Sequence, residues 1–269
     1  MKIIRFLNDR GKACFGTPAD EGRANLIHGD IFGEFEATHD LVEIKKLLAP
    51  VAPVAILGTG LNYRKHAQES GMAVPKFPVL FVKGLNTLQH PGDPIVIPRY
   101  LRSDKVDYEC ELAVVIGRAC KNVTRDRALD CVLGYTCAND VSARDWQLEK
   151  GGGQWCRGKF FDTFTPLGPY LITTEELPDP QNLQIKTVLN GEGVQEANTN
   201  DMIFDIPSLI EFFSGSTTLL PGTVILTGTP HGVGMSRQPP RWLRAGDEVT
   251  IAIENIGRLT NTVSYERTG

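Results

Sequence analysis

Short β-like runs dominate this chain, and they do not alternate with helices. Strand-like stretches fall at Val54–Leu57, Val79–Val82, Ile95–Ile97, Tyr108–Ile116, Tyr170–Thr173, Ile185–Leu189, Val224–Thr227 and Val249–Glu254. Turn residues such as Pro91-Gly92-Asp93, Pro221-Gly222 and Gly246-Asp247 punctuate them. Helical patterns are few: Tyr63–Ser70, Arg125–Ala128, Ala143–Lys150 and Ile206–Ser214. A doubly wound parallel sheet needs a crossover helix after nearly every strand, so this pattern argues instead for an α+β, mainly β fold of packed or rolled sheets.

The N-terminal part reads separately. Lys2–Leu7 and Lys12–Phe15 flank Asn8-Asp9-Arg10-Gly11 as an opening hairpin, and Leu41–Leu48 has the spacing of a short amphipathic helix that stops before Pro50 and Pro53. These signals predict a small N-terminal β module over residues 1–52 and a main domain over 53–269.

Hydrophobic residues make up 41% of the 269, enough for a sizeable core, and 28 basic against 32 acidic residues leave a net charge of −4. That balance gives no electrostatic case for nucleic acid or for an anionic membrane surface. No run approaches the roughly 18 apolar residues of a membrane span, and the first residues lack a signal-peptide core. The six cysteines show neither a CxxC pair nor zinc spacing. Together these points predict a cytoplasmic or organelle-matrix protein without disulfides.

Candidate chemistry begins on the strongest strand. Side chains on a strand alternate, so Glu109 and Glu111 share a face, with Cα atoms roughly 6.5–7 Å apart. Tyr108, Cys110, Leu112, Val114 and Ile116 face the other way, and Ala113 and Val115 continue the glutamate face, as in an interior strand. Two carboxylates there repel each other unless a cation sits between them, and all-oxygen ligation suits Mg²⁺, Mn²⁺ or Ca²⁺. The alternative is a solvent-facing strand edge. Asp140, closing the strand-like run Tyr135–Asp140, is a third carboxylate; its alternative role is to help cap a helix whose approximate capping box is Ser142 and Asp145.

Gly153–Phe160 nearly spells a phosphate-binding loop, but Phe160 replaces the required hydroxyl and a helix precedes it where a strand is needed. Gly58-Thr-Gly60-Leu-Asn-Tyr63 fails as a dinucleotide fingerprint at Tyr63. Lys159, between glycines and Phe160-Phe161, is either an oxyanion-stabilising cation or an ordinary surface lysine. His66 and Glu69, three residues apart on a helix with Asn62 as candidate N-cap and Gly71 as stop, form either a proton-moving pair or a surface pair. The glycines around His231 (Thr227–Gly234) either turn the chain tightly or offer backbone N–H groups to a carboxylate.

Taken in order, several segments resemble the fumarylacetoacetate hydrolase superfamily: Gly60–Tyr63 with His66, Asp107–Leu112 with Val114–Gly117, Asn139–Gln147, Gly158–Thr163, Pro166–Pro169, Asn198–Met202 and Leu226–Pro230. The resemblance runs from about residue 54 to the C-terminus. Asp140–Gln147 is most similar to the branch of fumarylacetoacetate hydrolase domain-containing protein 2 and its bacterial relatives.

This resemblance implies a rolled mixed β-sandwich, a homodimer, and Mg²⁺ or Mn²⁺ held by Glu109, Glu111 and Asp140. It also implies catalytic roles for Lys159 and for a His66–Glu69 dyad on a lid helix, and substrate binding by Gln147. Arg144 and Thr229 are candidates for the substrate carboxylate. The implied substrate is a small 2-oxo or 1,3-dicarbonyl acid, reacting through an enolate that the metal stabilises. Hydrolysis of a C–C bond (an acylpyruvate or a fumarylacetoacetate-like acid) is the first expectation. Keto–enol tautomerisation of oxaloacetate or a hydroxymuconate-type diene acid, or oxaloacetate decarboxylation, is the alternative, and a catalytically inactive dimeric module is a third.

Overall fold

The computed structural model describes every residue except 21, 268 and 269. Its strands form two packed sheets, one of 12 strands and one of 5, and a two-stranded ribbon of Val106–Asp107 with Ser142–Ala143. The large sheet runs, in spatial order, Phe35–Glu43, Arg23–Gly29, Ala13–Pro18, Lys2–Leu7, Thr165–Thr173, Val132–Asn139, Cys110–Ile116, Thr223–Leu226, Ala55–Gly60 and Val79–Lys83, with two short strands beside this path. The small sheet runs Glu192–Asn198, Gln184–Leu189, Glu248–Ile253, Gly257–Tyr265 and Ile95–Ile97. Most neighbours are antiparallel, but Thr223–Leu226 pairs in parallel with Ala55–Gly60, and Gly257–Tyr265 with Ile95–Ile97. The fold is the expected mixed, mainly β, α+β architecture.

The strand Cys110–Ile116 lies inside the large sheet and every residue of it is buried. Its alternation divides the core. Cys110, Leu112, Val114 and Ile116 pack with Ile185, Leu189, Val249, Ile251 and Leu259 of the small sheet. Ala113 and Val115 point the other way, into a second cluster with Ile3, Ile56, Leu167, Leu171 and Val224. Both clusters exclude water, which is why this strand carries apolar residues on both faces.

Two local expectations change. Leu41–Leu48 is not a helix: Phe35–Glu43 and Lys46–Leu48 are strands, paired with Arg23–Gly29 and Lys2–Leu7. Val42, Ile44 and Leu47 have helix-compatible spacing but bury against Ile4, Phe6 and Ala24, so sheet pairing overrides the local period. The Ser142–Asp145 capping box does not form. Ser142–Ala143 pairs with Val106–Asp107, and Asp145 instead accepts from Ser103 Oγ at 2.7 Å. The expected hairpin of Lys2–Leu7 with Ala13–Pro18 is present, and Lys2 and Ile3 also pair with Ile172 and Leu171, joining the N-terminal strands to the main sheet. No helix among the described residues is long and apolar enough to cross a membrane.

Candidate active site

Strand register assembles the acids. Cys110 lies opposite Asn139 and Glu111 opposite Ala138, so one step further along the ladder Asp140 comes beside Glu109. Two hydrogen bonds lock this: Asp140 N donates to Glu109 O at 2.9 Å, and Glu109 N donates to Asn139 Oδ1 at 3.0 Å. Glu109, Glu111 and Asp140 each present a carboxylate oxygen within 4.8 Å of the others, and all three are buried. The reading of Glu109 and Glu111 as a solvent-facing edge pair is therefore excluded.

Cations surround two of the three acids. Lys159 Nζ donates to Glu109 Oε2 at 2.7 Å and to Asp140 Oδ2 at 2.6 Å. It is 2% exposed, so it is no surface lysine. Its position depends on Gly158: a Cβ there would lie 2.6 Å from Ala143 O and from Gln147 N, which is why the short helix Cys156–Lys159 can press against the Asp145–Glu149 turn. The glycine that imitates a phosphate-binding loop is thus a packing glycine. Arg144 spans Asp107 and Glu109, with Nε 2.9 Å from Asp107 Oδ2 and Nη1 2.7 Å from Glu109 Oε1. Nη1 also donates to Gln147 Oε1 at 2.9 Å, while Nη2 is buried without a partner among the described residues.

Sequence reasoning missed Lys83. Its buried Nζ donates to Asp140 Oδ1 at 2.5 Å, Phe164 O at 2.9 Å and Val141 O at 3.3 Å. The available signal was alternation: Phe81 and Lys83 share the inward face of Val79–Lys83, and a lysine at an inward position needs a partner. Gln195 was missed too. Its Oε1 accepts from Cys110 N at 3.0 Å, and its Nε2 donates to Thr229 Oγ1 at 2.9 Å, holding Thr229 at the cavity.

Glu111 differs from its neighbours. Its Oε2 accepts from Gly228 N at 2.6 Å, and no cation pairs with it among the described residues. Burial, then the charges of Asp140 and Glu109, push its carboxyl well above the usual carboxylate range. Burial would also raise Glu109, but Lys159 and Arg144 overcome it and hold that carboxyl well below. With all four ionised, the buried carboxylates Asp107, Glu109, Glu111 and Asp140 would exceed the three buried cations Lys83, Arg144 and Lys159 by one negative charge, an imbalance that adds to burial in raising Glu111. A divalent cation fits this donor set: it would relieve Glu111, and it would leave the cluster one positive charge in excess, suited to an anionic substrate.

The glycine-rich loop does offer its N–H groups to carboxylates, and those carboxylates are the chain's own. Gly228 takes Glu111; Gly232 takes both oxygens of Glu69 at 2.9 and 3.1 Å; Gly234 and Met235 take Asp107 at 2.7 and 3.0 Å. Glu69 Oε2 also lies 3.3 Å from His66 Nδ1, across the helix Arg64–Glu69. Burial alone would raise the Glu69 carboxyl, but His66 and the Gly232 N–H hold it below its ordinary value. Asn62 is not the N-cap of this helix. Its amide bridges instead to Phe204 and to Thr227 O, tying the helix start to the loop.

A cavity of about 70 Å³ opens at these groups. Leu61, Met72, Phe81, Leu148, Trp155 and Met235 wall it, and His66, Glu109, Glu111, Arg144, Gln147, Lys159 and Thr229 line it. The wider groove of about 570 Å³ around Tyr170, Ile185 and Ile256 contains none of these polar residues.

The mainly β sandwich sets a buried three-carboxylate cluster beneath a small cavity, an arrangement of the kind that enzymes use. Residues 55–264 match the family model described as fumarylacetoacetate (FAA) hydrolase C-terminal, and the chain belongs to that family. It is 50% identical over 218 residues, 81% of its own length and 68% of the relative's, to a Xenopus laevis protein named oxaloacetate tautomerase fahd2, mitochondrial. Its structure is similar to 5-carboxymethyl-2-hydroxymuconate delta-isomerase from Mycobacterium smegmatis, with a TM-score of 0.85 and 38% identity over 99% of this chain and 100% of that one. It is also similar to fumarylacetoacetate hydrolase from Exiguobacterium antarcticum, with a TM-score of 0.86 and 34% identity over 99% of this chain and 100% of that one.

Proposed function

We propose that this enzyme is a keto–enol tautomerase of a small 2-oxo dicarboxylic acid such as oxaloacetate. The expectation from sequence put C–C hydrolysis first; the names of the relatives favour the tautomerase alternative. The observation that carries the reading is the pairing of His66 with the acid cluster across a cavity of about 70 Å³. That volume is far below the roughly 300 Å³ at which small-molecule pockets usually begin, so it suits a compact acid.

In this reading Glu109, Glu111 and Asp140 hold Mg²⁺ or Mn²⁺. When bound, the ion supplies Lewis-acid polarisation of the adjacent oxo and carboxylate oxygens of the substrate. Glu69 holds His66 at Nδ1, which leaves Nε2 as the proton carrier. Ketonisation removes a proton from the enol hydroxyl and returns one to C3, and we assign both transfers to His66 Nε2. Lys159 stabilises the negative charge that develops on the oxygen during the exchange. The unpartnered Arg144 Nη2, with Gln147 and Thr229, receives the distal carboxylate. The apolar walls limit the access of water, which keeps the reaction at proton transfer.

Hydrolysis is the second reading, favoured by the similarity to the Exiguobacterium hydrolase. The same His66 would then deprotonate water for attack on a distal carbonyl. Incubation with an acylpyruvate and with enol-oxaloacetate distinguishes the two. Faster ketonisation without pyruvate supports the tautomerase; release of pyruvate from the acylpyruvate supports the hydrolase.

A homodimer in the cytoplasm or an organelle matrix belongs to the same proposal. Its support is the sheet-edge strand Val79–Lys83, around which Phe77, Leu80, Val82, Leu85 and Phe160 expose apolar surface; sedimentation velocity tests it. None of the described residues of 1–52 lines the cavity, and we assign this segment to an appended β module.

A further inference from the structure

Each carboxylate of the triad has one oxygen held by a donor that belongs to the protein. Asp140 Oδ1 takes Lys83 Nζ at 2.5 Å. Glu109 Oε1 takes Arg144 Nη1 at 2.7 Å. Glu111 Oε2 takes the Gly228 amide at 2.6 Å. The second oxygens, Asp140 Oδ2 and Glu109 Oε2, share Lys159, and Glu111 Oε1 accepts no hydrogen bond among the described residues.

Lys83 is the least explained of these donors. It is buried, it does not line the cavity, and it touches neither His66 nor Glu69. Its three ammonium hydrogens are matched by three acceptors: Asp140 Oδ1 and the carbonyls of Val141 and Phe164. The two carbonyls fix Nζ from the backbone, so the lysine sits as a rigid stop against one side of the Asp140 carboxylate.

Resting on the reading of the triad as a divalent-ion site, we infer that Lys83 is a positioning residue that limits Asp140 to one oxygen and thereby selects a small ion, Mg²⁺ or Mn²⁺, over Ca²⁺. The two kinds of ion ask for different things. Mg²⁺ takes few, closely placed oxygens at about 2.0–2.1 Å and keeps its waters; Ca²⁺ takes 6–8 oxygens at about 2.3–2.6 Å and uses two-oxygen carboxylate grips readily. With one oxygen of every acid turned to its own donor, the chain offers at most three oxygens, two of them shared with Lys159, which suits the small ion and is poor for the large one. Lys83 is the donor whose removal frees a second oxygen of Asp140 without touching a cavity-lining side chain.

The test is calorimetric titration of the intact protein with MgCl₂, MnCl₂ and CaCl₂ separately. Wild type is expected to bind Mg²⁺ and Mn²⁺ at least about tenfold more tightly than Ca²⁺, and Lys83→Met to lose most of that ratio, within the roughly 10–100-fold range of outer-shell effects. If Lys83→Met folds poorly, Lys83→Gln reads the same ratio, because its side chain is one bond shorter, neutral, and falls short of Oδ1. Thermal melting without metal is run beside each titration. A variant that loses stability but keeps the wild-type ratio overturns the inference, because a merely structural lysine would behave that way. Wild type binding Ca²⁺ as tightly as Mg²⁺ overturns it as well. Binding of none of the three ions removes the metal reading itself, a distinguishable failure.

Discussion

Glu111 and Gly228 stand 117 residues apart in sequence and meet at 2.6 Å, backbone amide to carboxylate, at the centre of the acid cluster. The contact is possible because Gly228 holds φ +98, a left-handed conformation that L side chains rarely adopt. That amide gives Glu111 its hydrogen bond and adds to the charge of Lys159, but the two do not overcome burial, so the metal-free site carries a buried, poorly balanced carboxyl. Glu111→Gln keeps an oxygen for Gly228 and drops the charge. It is expected to stabilise the metal-free protein by about 1–3 kcal/mol and to abolish the rise in melting temperature that Mg²⁺ gives wild type. Calorimetric melting with and without Mg²⁺ reads both effects.

His66→Ala removes the proton carrier and leaves the acids intact. Turnover should fall by roughly 10²–10⁴-fold, while Mg²⁺ affinity is unchanged. Steady-state kinetics and titration on the same preparation make the comparison. Unchanged turnover removes His66 from the mechanism.

Glu69 gives a pH dependence with a defined sign. Its carboxyl in the folded protein lies below the ordinary value of 4.5, through His66 and the Gly232 amide acting against burial. A depressed carboxyl contributes stability that is fully present above the unfolded-state value and is lost as pH falls through the folded-state value. The stability difference between wild type and Glu69→Gln should therefore be constant from pH 7 to about 5 and shrink below that. Because the group is partly exposed, the difference should stay under about 1 kcal/mol. Denaturant titrations across this pH range check it; a difference that grows on acidification contradicts it.

The sandwich core predicts a large cost at Leu112, which is fully buried between the two sheets. Leu112→Ala should destabilise by about 2–5 kcal/mol, and chemical denaturation measures it.

How much of this was legible in the sequence depends on the range of the interaction involved. Glu109 and Glu111 could be placed on one face because strand alternation is local, and Asp140 because it closes its own strand. Their convergence needed the register of Cys110 with Asn139, which is non-local. Lys159 was singled out for its setting, but its burial between Glu109 and Asp140 was invisible because its partners lie 50 and 19 residues away. Lys83 stands inward at the end of Val79–Lys83, one residue past the strand-like stretch Val79–Val82 that the local pattern marks, and its partner Asp140 lies 57 residues away. The segment 41–48 shows the opposite failure: its apolar spacing is helical, and the pairing that makes it strand comes from residues 2–7 and 23–29. For Thr227–Gly234 the local pattern leaves a tight turn and amides offered to a carboxylate equally open; the second holds, and that the carboxylates are Glu111, Glu69 and Asp107 is beyond local reasoning.

Metal-dependent proton transfer at the Glu109–Glu111–Asp140 cluster is read from the rate at which enol-oxaloacetate absorbance decays in the presence of the protein, as Mg²⁺ is titrated in and then removed with EDTA. Decay should be faster than in the protein-free control, saturate with Mg²⁺ and return to the control rate under EDTA. Acceleration that persists unchanged under EDTA, or no acceleration at any Mg²⁺ concentration, would contradict it.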